Sequence, residues 1–106
     1  MTDLRLLYVT VKNGDEAIKI AKELLEHRLI ACANIRDGFQ SLYRWQGKIM
    51  EESEAVLIAK TSVQNVTAAI EKIKSLHSYE CPCIVSLPIE TGHQPFLDWI
   101  EQEIRA

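Results

Sequence analysis

The sequence predicts an α+β domain in which two helices cover one face of an antiparallel sheet. Three observations carry that reading: two stretches with apolar residues at helical spacing, four apolar runs at strand spacing around them, and a Gln46-Gly47 pair placed to turn one run back on the next.

Leu4 to Val11 alternates as a strand. Asn13 then offers a helix N-cap, with Glu16 three residues later as its capping-box partner. The helix carries Ala17, Ile18, Ala21, Leu24 and Leu25 on one face, and Lys22, His27 and Arg28 near its end suit the negative pole of the macrodipole. Leu29 to Ile35 reads as a second strand. Asp37-Gly38 reads as a bulge or bend within it, because the aromatic-rich run from Phe39 to Trp45 resumes the strand pattern. At Gln46-Gly47 the glycine supplies the positive φ of a tight hairpin. Ile49 to Thr61 returns as a long strand, charged at Glu51, Glu52 and Glu54 and apolar from Ala55 to Ala59.

Ser62 is placed to cap a second helix, whose Val63, Val66, Ala69, Ile70, Ile73 and Leu76 form one stripe. After the segment His77-Ser78-Tyr79-Glu80-Cys81-Pro82-Cys83, Ile84 to Ile89 reads as the last strand. Gly92 breaks it, and Pro95 fits the first turn of a short final helix bearing Phe96, Leu97, Ile100 and Ile104. The order is β-α-β-β-α-β plus a C-terminal helix, the split βαβ arrangement of ferredoxin-like folds, in a single domain spanning residues 1–106.

The strands make a further demand. Leu7, Val9 and Val11 alternate with Leu4, Leu6 and Tyr8; Val56 and Ile58 alternate with Leu57 and Ala59; Val85, Leu87 and Ile89 alternate with Ile84. Both sheet faces are therefore apolar, whereas an antiparallel sheet with one face in water is polar on that face. The helices hide one face only, and so large an exposed patch implies a partner. A homo-oligomer with sheets buried at its centre is expected.

Composition narrows the function. A net charge of −3 argues against nucleic-acid or anionic-membrane binding, and no apolar run has the length of a membrane span. The N-terminus lacks a signal-peptide layout, and three cysteines fit reduced thiols in a cytoplasmic setting better than a disulfide framework. No nucleophile-base-orienter set, Gly-rich phosphate loop or paired carboxylates are readable, so a non-enzymatic role is expected. Three cysteines are too few for an iron–sulfur cluster, and Lys12-Asn13-Gly14 has no sulfur where a copper chaperone of this fold resembles Cys-x-x-Cys.

The segment from His77 to Cys83 gathers the chemistry. Imidazole and thiolate are common ligands of zinc and copper, and Cys81 and Cys83, two apart on a strand, share a face. His77, Cys81 and Cys83 are the candidate metal ligands. The competing readings are a helix-end histidine answering the dipole and two small buried hydrophobes. Cys32, between Ala31 and Ala33, reads as core. Tyr43 and Trp45 either line a pocket between subunits or anchor the interface; Lys60 binds an anion or pairs with a carboxylate. Glu51, Glu52 and Glu54 fit a solvated hairpin arm better than a hard-cation site.

Ala31-Cys32-Ala33-Asn34-Ile35, Ser41-Leu42-Tyr43-Arg44-Trp45-Gln46-Gly47-Lys48-Ile49, Lys60-Thr61, His77-Ser78-Tyr79-Glu80-Cys81-Pro82 and Phe96-Leu97-Asp98-Trp99-Ile100 together resemble the divalent-cation tolerance proteins of the CutA family, in register from about Leu6 to Ile104. The resemblance implies a cytosolic homotrimer of ferredoxin-like protomers with a role in copper and divalent-ion tolerance. It places Tyr43, Trp45, Lys60, Tyr79 and Trp99 at clefts or interfaces between subunits. Of the family's copper ligands it retains the histidine as His77, while Val9 stands where the cysteine is expected. Leu76, Ser78 and Cys83 also depart from the family pattern, and Cys81 with Cys83 offers replacement sulfur. The alternative to a copper-binding trimer is a trimeric structural or signalling scaffold that holds a small ligand or partner in its clefts.

Overall fold

A computed structural model describes residues 2–105. The order is β1 (Leu4–Val11), α1 (Gly14–Glu26), β2 (Cys32–Trp45), β3 (Lys48–Ser62), a short 3-10 turn (Val63–Asn65), α2 (Val66–Leu76), β4 (Ile84–Pro88) and α3 (Gln94–Arg105). The four strands form one antiparallel sheet, as the sequence predicts, in the order β2-β3-β1-β4.

Register divides the sheet into two unlike faces. Leu7, Val9 and Val11 of β1 sit opposite Ala59, Leu57 and Ala55 of β3, and all six are buried beneath α1 and α2 with Ile20, Leu24, Ala69 and Ile73. Ile20 fills the place that Ile18 and Leu25 take in the sequence reading; those two are exposed. Helical spacing alone leaves that choice to the angle at which α1 meets the sheet.

The opposite face presents Leu6, Tyr8, Ile58, Val85 and Leu87 in register across the sheet. Helix α3 covers only one end of it, where Leu97 and Ile100 pack on Leu4 and Ala31. Val85 and Leu87 remain about half exposed. The two-faced apolar sheet expected from the sequence is present.

Beyond Arg36 the β2–β3 hairpin leaves the sheet body as a two-stranded arm, and the molecule is 44 Å long but only 26 and 22 Å across. Arg36 pairs with Val56 and Phe39 with Glu54, so Asp37 and Gly38 together span the single residue Ala55: a bulge, with Gly38 at φ 76°. Without that extra residue every later side chain of β2 would change faces. With it, Phe39, Tyr43 and Trp45 stand on the open face beside Glu54, Glu52, Met50 and Lys48. Asp37 also fixes the bulge to α1, since Gly14 N donates to Asp37 Oδ2 at 3.0 Å. The arm closes at Gln46 and Gly47, both at positive φ, with Trp45 paired to Lys48.

Three local expectations are revised. Asn13 Oδ1 caps Glu16 N, but the Glu16 carboxylate completes no capping box; it accepts from Ser78 N and Ser78 Oγ instead. Ser62 makes no side-chain cap bond, because a 3-10 turn intervenes and α2 begins at Val66. Strand β2 begins at Cys32 rather than Leu29, because Leu29 N closes the end of α1 by donating to Leu24 O while Arg28 sits at φ 54°.

Candidate functional site

The loop from His77 to Cys83 carries the chain from α2 over the end of β1 and into β4, and four side chains set its course. The His77 imidazole is fully buried: Nε2 donates to Thr10 O at 2.8 Å, and Nδ1 accepts from Tyr79 N at 3.0 Å. These bonds select the neutral tautomer with its proton on Nε2. Glu16 holds Ser78 from below, with its carboxylate 3.6 Å from Nδ1. The Tyr79 hydroxyl then reaches across to donate to Glu54 Oε2 at 2.7 Å. Glu54 is only 6% exposed, and this bond supplies the donor that a buried carboxylate needs. Burial first, and Glu54 as acceptor second, push the phenol pKa well above its usual range, so Tyr79 stays a neutral donor.

Between this loop and the arm lies a cleft of about 790 Å³. Tyr43, Trp45 and Met50 line its arm side, and Glu80, Cys81 and Cys83 its loop side, with Glu52 and Glu54 along the floor. The Tyr43 hydroxyl donates to the Glu52 carboxylate. No lysine, arginine or histidine is among the lining residues, so the cleft has three carboxylates and no compensating cation.

The structure therefore brings Tyr43, Trp45, Tyr79, Cys81 and Cys83 to one cleft and sets the other candidates apart. Cys81 and Cys83 are exposed thiols on an irregular segment, not on a strand, because β4 begins one residue later. They share the cleft nonetheless. His77 is turned away from it, and both ring nitrogens are engaged, so ligation through either requires giving up a bond. Among the described residues no group of three or more His, Cys, Asp or Glu side chains is arranged to hold an ion. Val9 is buried on the helix side and offers nothing to the cleft.

Cys32 is met only in part as a core residue: it is half-buried and, paired with Lys60, stands on the open face rather than under the helices. Register decides this, since Ala33 takes the inward position opposite Ala59. The Lys60 ammonium donates to the Asn34 side-chain carbonyl. Trp99 lies on α3, stacked with Phe96 at 5.6 Å between ring centroids, and does not line the cleft. Glu54, read from the sequence with Glu51 and Glu52 as part of a solvated arm, is buried instead. Its signal was legible: it is the last acid before the apolar run, at the base of the arm where the sheet body begins.

Residues 5–103 match the family model described as CutA1 divalent ion tolerance protein. The chain belongs to the CutA family. It is 42% identical over 97 residues to the divalent-cation tolerance protein CutA of Thermus thermophilus, covering 92% of this chain and 94% of that one. Among solved structures it is similar to CutA from Xylella fastidiosa, with a TM-score of 0.94 at 36% identity over 97% of this chain and 99% of that one. The periplasmic divalent cation tolerance protein CutA of Archaeoglobus fulgidus gives a TM-score of 0.92 at 40% identity over 95% and 98% of the two chains. The family resemblance and the ferredoxin-like order of strands and helices read from the sequence both stand.

Proposed function

We propose that this CutA-family chain is a homotrimeric divalent-cation tolerance protein that takes copper or a related metal ion in the cleft between the arm and the His77–Cys83 loop. Cys81 and Cys83 are the donors, and His77 braces the loop that presents them. The observation that carries the reading is the convergence of two exposed thiols and three carboxylates on one cleft without a basic residue. Such a lining concentrates cations, and thiolate donors retain soft ones.

The trimer is supported by the uncovered face and by the arm. Leu42 and Ile49 are 65% and 72% exposed near the arm's tip. Further copies seated on these surfaces bury them and close the clefts. Free thiols at Cys81 and Cys83 fit a reducing compartment such as the cytoplasm; no helix of the described residues is long and apolar enough to cross a membrane.

A second reading has its own observation. The engagement of both His77 nitrogens favours a scaffold that holds a small ligand or partner in the same cleft, with metal tolerance arising indirectly. Titrating reduced, metal-free protein with copper separates the two. On the first reading, replacing both cysteines (Cys81→Ser with Cys83→Ser) weakens binding by at least about tenfold. Unchanged binding favours the scaffold.

A further inference from the structure

We propose that Cys81 and Cys83 are a reversible thiol–disulfide pair, oxidised to an internal Cys81–Cys83 disulfide by a low-molecular-weight disulfide of the glutathione class and reduced again by the corresponding thiol. This chemistry needs no ion in the cleft.

Position brings the two sulfurs within reach of each other. Both thiols are exposed, and both precede β4, which begins at Ile84, so neither is held in a flat strand. Two residues of fully extended chain span at most about 7 Å, and Pro82, whose ring fixes φ at about −65°, keeps the segment short of that limit. A disulfide bridges Cα separations of about 4.4–6.8 Å. The two ends differ in freedom. Thr10 N donates to Cys83 O at 3.2 Å and ties Cys83 to β1, while Cys81 sits in a bend on the other side of the proline. Both sulfurs come from one loop of one chain, so closing the bond takes no residue from another copy.

The exchange proceeds in two displacements. The Cys81 thiolate attacks one sulfur of the small disulfide RSSR; the S–S bond breaks, Cys81 is left in a mixed disulfide, and one thiolate departs. The Cys83 thiolate then attacks Cys81 Sγ, forms the internal bond and expels the second thiolate. The two protein protons end on the two departing thiolates. Two protein thiols and RSSR thus give one protein disulfide and two RSH, the pair losing the two electrons that RSSR gains. The single-residue tether makes the second displacement intramolecular, which favours it over attack by another molecule. A bridge over one residue closes a small ring at an exposed site, and strained or exposed disulfides are the labile ones, so excess RSH reopens it. The cleft, at about 790 Å³, has the size of a small-molecule site. Cys32 lies outside the exchange, half-buried on the open sheet face beside Lys60.

The test uses the reduced full chain with a metal chelator present, incubated with glutathione disulfide, quenched in acid and alkylated under denaturing conditions before mass spectrometry. The expected product has lost two hydrogens per chain and carries an alkyl group on Cys32 alone of the three cysteines. Excess glutathione is expected to restore alkylation at all three. Cys81→Ser and Cys83→Ser each remove one partner, and each variant is expected to stop at a single glutathione adduct on the remaining cysteine of the pair. Wild-type protein that retains three free thiols, or that holds a stable glutathione adduct on Cys81 or Cys83, overturns the pairing. So does a disulfide from either cysteine to Cys32 or to a second chain. An internal bond that excess glutathione fails to reopen overturns the reversibility.

Discussion

Tyr79 Oη and Glu54 Oε2 lie 2.7 Å apart, a phenol-to-carboxylate bond that ties the loop after α2 to the base of the β3 arm. The loop presents the thiols, the arm presents the aromatic wall, and this bond holds the two sides of the cleft in one arrangement.

Tyr79→Phe removes the only donor shown for Glu54 Oε2 and leaves a buried carboxylate short of a partner. A loss of about 1.5–3 kcal/mol in urea-unfolding stability is expected, the scale for hydrogen bonds to charged groups. The pH dependence has a definite sign. The folded protein holds the phenol proton more tightly than the unfolded chain, whose tyrosine titrates near pH 10. The stabilisation is therefore whole below about pH 10 and drains away as pH rises beyond it. Metal-free wild type should lose urea stability more steeply than Tyr79→Phe between about pH 9 and about pH 11. Parallel curves would show that the bond does not carry this linkage.

His77→Ala strands Thr10 O and Tyr79 N together, at about 1–3 kcal/mol for each unpaired group. His77→Gln retains one donor and one acceptor and is expected to recover part of that loss. Equal destabilisation by both substitutions would show that ring packing, rather than the paired bonds, anchors the loop.

Gly14 and Asp37 are coupled. A Cβ on Gly14 would meet Asp37 Oδ2 at 2.7 Å, so Gly14→Ala must displace the carboxylate that accepts from Gly14 N. Asp37→Ala alone costs about 1 kcal/mol for the lost bond. Because it also vacates the space, the double variant should be less destabilised than the sum of the two by about 0.5 kcal/mol or more, measured by a double-mutant cycle.

Arg28 occupies the left-handed position that ends α1, at φ 54°, where Leu29 N donates to Leu24 O and Arg28 N to Leu25 O. Glycine takes that conformation without the Cβ penalty. Arg28→Gly should raise the thermal midpoint, by the equivalent of up to about 1 kcal/mol, although it forgoes the exposed bond from Arg28 Nη1 to Glu103 O. A lowered midpoint would assign that bond the greater weight.

The fold was legible because its signals are local. Apolar spacing located each helix, Gln46-Gly47 the hairpin, and Asp37-Gly38 the bulge. The two apolar faces of the strands were legible in the same way. What spacing does not carry is orientation. Ile18 and Ile20 both fit a helical stripe, and only packing against β1 and β3 buries the second. The site was half legible for the same reason. Cys81, Cys83, Tyr43 and Trp45 were each legible as candidates, but nothing local shows that they share one cleft, that His77 turns inward to Thr10 or that Tyr79 reaches Glu54, since the last two partners lie 67 and 25 residues away.

The central claim is that this protomer is one part of a closed assembly, with the open sheet face and the arm covered by further copies. Sedimentation equilibrium of the purified chain tests it most directly. The account predicts a single species of three times the 12.1 kDa chain mass that does not dissociate on dilution to micromolar concentration. A species of 12.1 kDa, with Val85, Leu87 and the arm exposed to water, would contradict it.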